Sequence, residues 1–183
     1  MGEAAAPTTV REEFDQQPIS VATPSNRVFV TLVGTHDVRV GFAEGFYAAT
    51  SDREMAAELT RAARLTFVAR TRAFYAALGS AAGHRVEPGR RSLDRQSQAY
   101  HDGLERLVAE GTAADGRLRM VGVGLSSFTV TVAPGTVAAL SESEFAEACR
   151  AGTLDFLADH LRRIAELKFD VYLRPGLEAA GVL

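Results

Sequence analysis

The chain has 183 residues, 46% of them hydrophobic and 23% charged, with a formal net charge of −3. That length suits one compact domain or two small halves sharing a core, and the composition is that of a globular chain rather than a disordered one. The slightly acidic balance gives no global attraction to nucleic acid or anionic membrane, the single Cys149 excludes an internal disulfide and a thiolate cage, and no apolar run approaches the roughly 18 residues of a membrane span.

The first nine residues are small and polar and are expected to be disordered. Val10 and Phe14 stand at helical spacing, but Pro18 limits a helix there to about two turns. Ile19 and Val21 alternate with polar neighbours, as in a short edge strand. Residues 27–33 and 37–43 alternate and are rich in β-branched side chains, with Gly34, Thr35 and His36 between them, which predicts a hairpin. At Ser51 the period changes. Ser51 followed by Glu54 reads as a capping box, and the apolar stripe from Met55 through Leu59, Phe67 and Phe74 predicts a helix of about 27 residues ending at Gly79. Residues 80–91 are a basic linker. A second helix is expected from Ser92 to Glu110, with Leu104, Leu107 and Val108 on one face and Gly111 as its C-cap. A hairpin over 117–124 and 126–132, a capping box at Ser141 and Glu144, and a second long helix follow. The tail before Pro175 suggests a short strand or turn.

The second half repeats the first. Residues 25–78 and 115–168 superpose at an offset of 90 without a gap, and 12 of the 54 pairs are identical, among them Gly34/Gly124, Gly45/Gly135, Ser51/Ser141 and Glu54/Glu144. Such a chain is expected to fold as a pseudo-symmetric pair. On this reading residues 10–79 form the first unit and 92–183 the second. The second is the more complete, because Pro18 interrupts the first unit's leading helix.

Few residues suggest chemistry. His36, His84, His101 and His160 lack metal-ligand spacing and read as surface or helix-flank histidines, so neither metal nor cofactor is expected. Cys149 occupies the position of Leu59 and reads as a small buried apolar residue. Gly122 and Gly124 lack the lysine of a phosphate loop, and Gly124 matches the turn glycine Gly34. Charge differs between the halves. Arg61, Arg64, Arg70, Arg72, Arg85, Arg90, Arg91 and Arg95 face only Glu87 and Asp94, whereas residues 141–160 carry Glu142, Glu144, Glu147, Asp155 and Asp159 against Arg150. The arginines could follow phosphates, opposite charges could dock another protein, or both faces could simply be solvated.

The segment VFVTLVGTHDVRVGFAEGFYAATSDREMAAELTRAAR and its counterpart DGRLRMVGVGLSSFTVTVAPGTVAALSESEFAEACRAG resemble the YbaB/EbfC family: strand, glycine-containing turn, strand, then a Ser-capped long helix. The resemblance covers both halves. It implies a compact α+β subunit of helix, three strands and helix that dimerises through its sheet. Here that means an intrachain pseudo-dimer of two YbaB-like units, with a joined or facing antiparallel sheet and two long helices. It also implies a non-enzymatic, cytoplasmic, nucleoid-associated protein binding double-stranded DNA through Arg85, Arg90, Arg91 and Arg95, with Arg61, Arg64, Arg70 and Arg72 in support. Related actinobacterial domains are similar to type VII secretion accessory proteins such as EspH, for which a protein partner is the alternative. A homodimer of pseudo-dimers is compatible with either. The duplication and the acidic second helix depart from the single-unit pattern.

Overall fold

In a computed structural model, residues 14, 16–84, 94–124 and 126–181 are described. The elements are β1 (Pro18–Ala22), β2 (Val28–Val33), β3 (Asp37–Phe42), α1 (Phe46–Ala49), α2 (Asp52–Ala82), α3 (Arg95–Arg106), β4 (Val108–Ala113), β5 (Leu118–Val123), β6 (Ser127–Val132), α4 (Thr136–Ala139), α5 (Glu142–Lys168), a π-helical turn (Phe169–Leu173) and α6 (Arg174–Ala179). The protein is α+β. Its strands form two separate three-stranded antiparallel sheets, β1-β2-β3 and β4-β5-β6, not one joined sheet.

The offset of 90 holds at the level of hydrogen-bond register. Pro18 pairs with Val33 and Val108 with Val123; Val28 pairs with Phe42 and Leu118 with Val132. The turns match as well. Gly34 (φ 60°) and Gly124 (φ 56°) take the left-handed conformation between the second and third strands, and Gly45 (73°) and Gly135 (81°) take it before the short helices. These are backbone conformations that glycine adopts without a Cβ penalty. Ser51 and Ser141 cap the long helices, each accepting the backbone N–H three residues on. The reciprocal capping box closes only in the second copy, where the Glu144 carboxylate accepts from the Ser141 N–H at 2.8 Å. Glu54 instead pairs with Arg27 across the sheet turn.

Several expectations are corrected. Residues 108–113 are strand, so the helix expected over 92–110 reaches only Arg106 in the described part, and Gly111 lies inside β4 rather than at a helix end. Pro18 and its counterpart Val108 are each the first residue of a first strand, a site where the missing N–H of proline costs no ladder bond. Phe14 and Gln16 before Pro18 are helical, and the rest of the leading helix expected in the first unit lies outside the described residues. Helix α2 continues through Gly79 to Ala82 and ends at Gly83, whose φ of 67° suits the left-handed cap. The tail is a π turn followed by α6, neither strand nor simple turn. The expected disorder of 1–9 lies outside the described residues.

One core draws on both copies. Val28, Tyr47, Met55, Leu59 and Ala62 join Leu118, Phe128, Phe145, Cys149 and Phe156 in a single buried cluster. Burying side chains such as Met55 and Phe145, both 0% exposed, contributes about 1.5–3 kcal/mol each. The crossing is reciprocal: α2 packs on β1 and β2 of its own sheet and on β6 of the other, while α5 packs on β4 and β5 and on β3. At the centre Phe42 and Tyr47 of the first copy meet Phe145 of the second, with ring centroids 5.5–5.9 Å apart. The Tyr47 hydroxyl donates toward the carbonyls of Val137 and Leu140, both at 3.0 Å, and Asp52 accepts the Gly135 and Val137 N–H groups at 2.8 Å.

Candidate functional site

Several residues of the charged helix faces singled out by sequence bond to neighbouring elements of the fold. On the acidic helix α5, the Asp159 carboxylate accepts the Glu110 N–H at 3.0 Å and Asp155 accepts the Thr112 N–H at 2.9 Å. Both N–H groups belong to β4, the edge of its sheet, so these carboxylates cover an edge that would otherwise be open to pairing. Asp159 also accepts from Arg162 and, at 2.8 Å, from Arg163. Burial pushes the Asp159 carboxyl up, but the bonds from Arg163, the Glu110 N–H and Arg162 outweigh it and bring the pKa down to about 2. Positions 65 and 69, the counterparts of 155 and 159, are Leu65 and Ala69. The charge difference between the copies therefore follows, in part, from which helix caps an edge.

The close fit of α5 on β4 depends on two glycines. A Cβ on Gly111 would stand 2.3 Å from the Gly152 carbonyl oxygen and 2.4 Å from the Phe156 nitrogen. Their counterparts in the first copy are Val21 and Ala62, which carry side chains.

Of the arginines, Arg61, Arg64, Arg70 and Arg72 lie on α2, Arg95 begins α3, and Arg85, Arg90 and Arg91 lie outside the described residues. Arg61 donates to the buried Glu58 at 2.6 Å. Glu58 also accepts from Ser25 at 2.7 Å, which ties the β1–β2 turn to the helix. Arg64 donates to the Phe128 carbonyl at 3.2 Å, beside the Thr60 hydroxyl that accepts the Val130 N–H at 2.9 Å; together they cover the β6 edge. Arg70 donates to the Gly34 carbonyl at 2.7 Å, and its guanidinium lies 4.9 Å from the Phe14 ring centroid. At 100° per residue, Arg70 projects on the opposite side of α2 from Arg61 and Arg72. Arg72 and Arg95 are exposed and make no polar contact among the described residues.

The feature that sequence reading missed is an apolar cleft of about 250 Å³ between the copies. The two long helices line it with equivalent positions: Leu59 and Cys149, Ala62 and Gly152, Ala63 and Thr153, Thr66 and Phe156, Phe67 and Leu157, Arg70 and His160. Val40 and Val130, also equivalent, contribute from the sheets. Leu161 lines it too and is 45% exposed, which marks where it meets solvent. The threonines that the long helices bring to the cleft are internally satisfied, Thr66 donating to the Ala62 carbonyl at 2.9 Å and Thr153 to that of Cys149 at 2.8 Å. Burial pushes the Cys149 thiol up to about 12, so it stays protonated at neutral pH.

His160, expected at the surface or on a helix flank, is buried. It is 8% exposed, its ring lies parallel to that of Phe156 with centroids 6.2 Å apart, and its Nδ1 is buried without a hydrogen-bond partner. Burial lowers its pKa, the nearby Asp159 partly opposing, so the imidazole is neutral at pH 7. The signal for the cleft was latent in the repeat, since positions 70 and 160 are related by the same offset of 90.

Among the described residues, no group of three His, Cys, Asp or Glu side chains could hold a metal ion, and no helix is long and apolar enough to cross a membrane. No family model, curated protein or solved structure matches the chain.

Proposed function

We propose that the chain is a non-enzymatic binding protein, an intrachain pseudo-dimer of two YbaB/EbfC-like units, and that the cleft at their junction takes a small apolar molecule. The observation that carries this reading is the cleft's lining. Both copies contribute equivalent apolar positions to one space, which a well-packed core would have filled. Its polar groups favour binding over chemistry: Thr66 and Thr153 are bonded to their own helices, the thiol is protonated, and Arg70 is engaged by the Gly34 carbonyl. An engineered cavity of about 150 Å³ accommodates benzene, so the cleft suits a molecule of about ten heavy atoms.

Naphthalene is a suitable probe. Titration by calorimetry should show saturable binding to one site per chain. Ala63→Phe, which fills the space from α2, should abolish that binding while leaving the helical circular dichroism unchanged. Absence of saturable binding by the unaltered protein, or binding indifferent to the substitution, would refute the reading.

A second reading, duplex DNA, is favoured by Arg72 and Arg95, which are exposed and make no polar contact among the described residues. With Arg85, Arg90 and Arg91 they would neutralise backbone phosphates, and mobility shifts across a salt series should then show a steep negative log–log slope. A salt-independent result, or no shift at 50 mM salt (a permissive condition for phosphate contacts), would exclude it.

A further inference from the structure

We infer that His160 is the polar anchor of the cleft and that the ligand is an uncharged molecule with an apolar body and one hydrogen-bonding oxygen, of the phenol or alcohol class. This rests on the cleft being the binding site and specifies what it selects.

Two observations independent of the apolar lining converge on it. The Nδ1 of His160 is buried and unpartnered, although buried polar atoms in folded proteins nearly always find a partner. His160 is also among the residues that line the cleft, so a molecule seated there can supply that partner once the side chains covering Nδ1 give way. The imidazole lies parallel to the Phe156 ring, with centroids 6.2 Å apart.

The repeat makes the cleft one-ended. Arg70 occupies the matching position, but its guanidinium is engaged by the Gly34 carbonyl at 2.7 Å and lies over the Phe14 ring. Of the two equivalent polar positions, His160 is the one that presents an unmet hydrogen bond. The rest of the lining is dominated by Leu, Val, Phe and Ala, where an ionised head group would lose its hydration without a compensating charge beyond the engaged Arg70. A hydroxyl oxygen can serve a neutral imidazole in either tautomer, donating to an unprotonated Nδ1 or accepting from a protonated one. The apolar body then extends away from His160 along Phe156, Leu157 and Phe67.

The test compares two probes with one body, 4-propylphenol and propylbenzene, titrated into the full chain by calorimetry. The unaltered protein is expected to bind the phenol about tenfold more tightly, the discrimination typical of one buried hydrogen bond. His160→Phe keeps the ring and its stacking but removes Nδ1, and should bind both probes equally, at the level of propylbenzene. In the unaltered protein, the His160 ring resonances should shift further with 4-propylphenol than with propylbenzene; this measurement decides the matter if the variant fails to fold. Equal affinity of the unaltered protein for both probes, or a phenol preference that survives His160→Phe, overturns the assignment while leaving the cleft as a binding site. If naphthalene fails to bind the unaltered protein, the cleft reading itself falls, and this assignment with it.

Discussion

Substituting Gly111 by alanine tests whether α5 is seated directly on the backbone of β4. The new Cβ would stand 2.3 Å from the Gly152 oxygen, 2.4 Å from the Phe156 nitrogen and 2.7 Å from the Phe156 Cβ. Two of these are backbone atoms, so no rotamer change relieves the clash. Reaching ordinary contact at 3.4 Å requires a separation of about 1.1 Å between strand and helix. That movement stretches the bonds from the Glu110 and Thr112 N–H groups to Asp159 and Asp155, now 3.0 and 2.9 Å, beyond hydrogen-bonding distance. Overpacking costs about 1–3 kcal/mol. Loss of two bonds to carboxylates, one at an exposed position, adds on the order of 2 kcal/mol. The expected destabilisation is therefore about 3–5 kcal/mol, a large share of the roughly 5–15 kcal/mol that holds a typical domain. Urea denaturation followed by circular dichroism should show a lower midpoint at unchanged slope, and the melting temperature should fall by about 6–20 °C. Gly41→Ala is the control, because a Cβ there meets nothing within 4 Å; it should stay within about 1 kcal/mol. If Gly111→Ala also stays within that margin, α5 does not sit on the strand as described.

The junction between copies is tested by Tyr47→Phe, which removes a hydroxyl bonded to the Val137 and Leu140 carbonyls and should cost about 1–2 kcal/mol in the same assay; no change would remove Tyr47 as a tie between the copies. Asp159 makes stability depend on pH. Its folded pKa of about 2 lies below the ordinary value near 4, so its contribution is present above about pH 4 and is lost as pH falls toward 2. Asp159→Asn should be less stable at pH 7, with the difference from the unaltered protein shrinking below pH 4; a constant difference across that range would contradict the assignment. Cys149, buried with its thiol near 12, should react with a thiol reagent at pH 7.5 only as fast as the protein opens, so rapid stoichiometric labelling would place it at the surface instead.

Local signals read correctly wherever the determinant lies within a few residues. Gly34 and Gly124 mark turns because those turns need a positive φ, and Ser51 and Ser141 begin helices because a hydroxyl there meets an N–H three residues on. Gly111 misled for a related reason. A glycine after an apolar run resembles a helix C-cap, but here it serves the approach of a helix more than 40 positions away, which no local window contains. The offset of 90 sets Ile19 and Val21, which alternate like an edge strand, on Ala109 and Gly111, so the repeat itself conflicted with a helix there. Arg61, Arg64 and Arg70 read as free cations, because Glu58 is an ordinary helix residue in sequence and the Phe128 and Gly34 carbonyls have no sequence signature at all.

The 90-residue repeat by itself determined the two-fold plan of this protein: two copies with the same register, turns and helix starts, because each of those is set by residues close together along the chain. Only the tertiary structure decided how the copies meet. That each long helix crosses the other copy's third strand, that acidic side chains close the edge of β4, and that a space remains between Arg70 and His160 depend on contacts between distant segments. Such contacts are set by volume and hydrogen-bond satisfaction in three dimensions, and those quantities leave no period in the sequence.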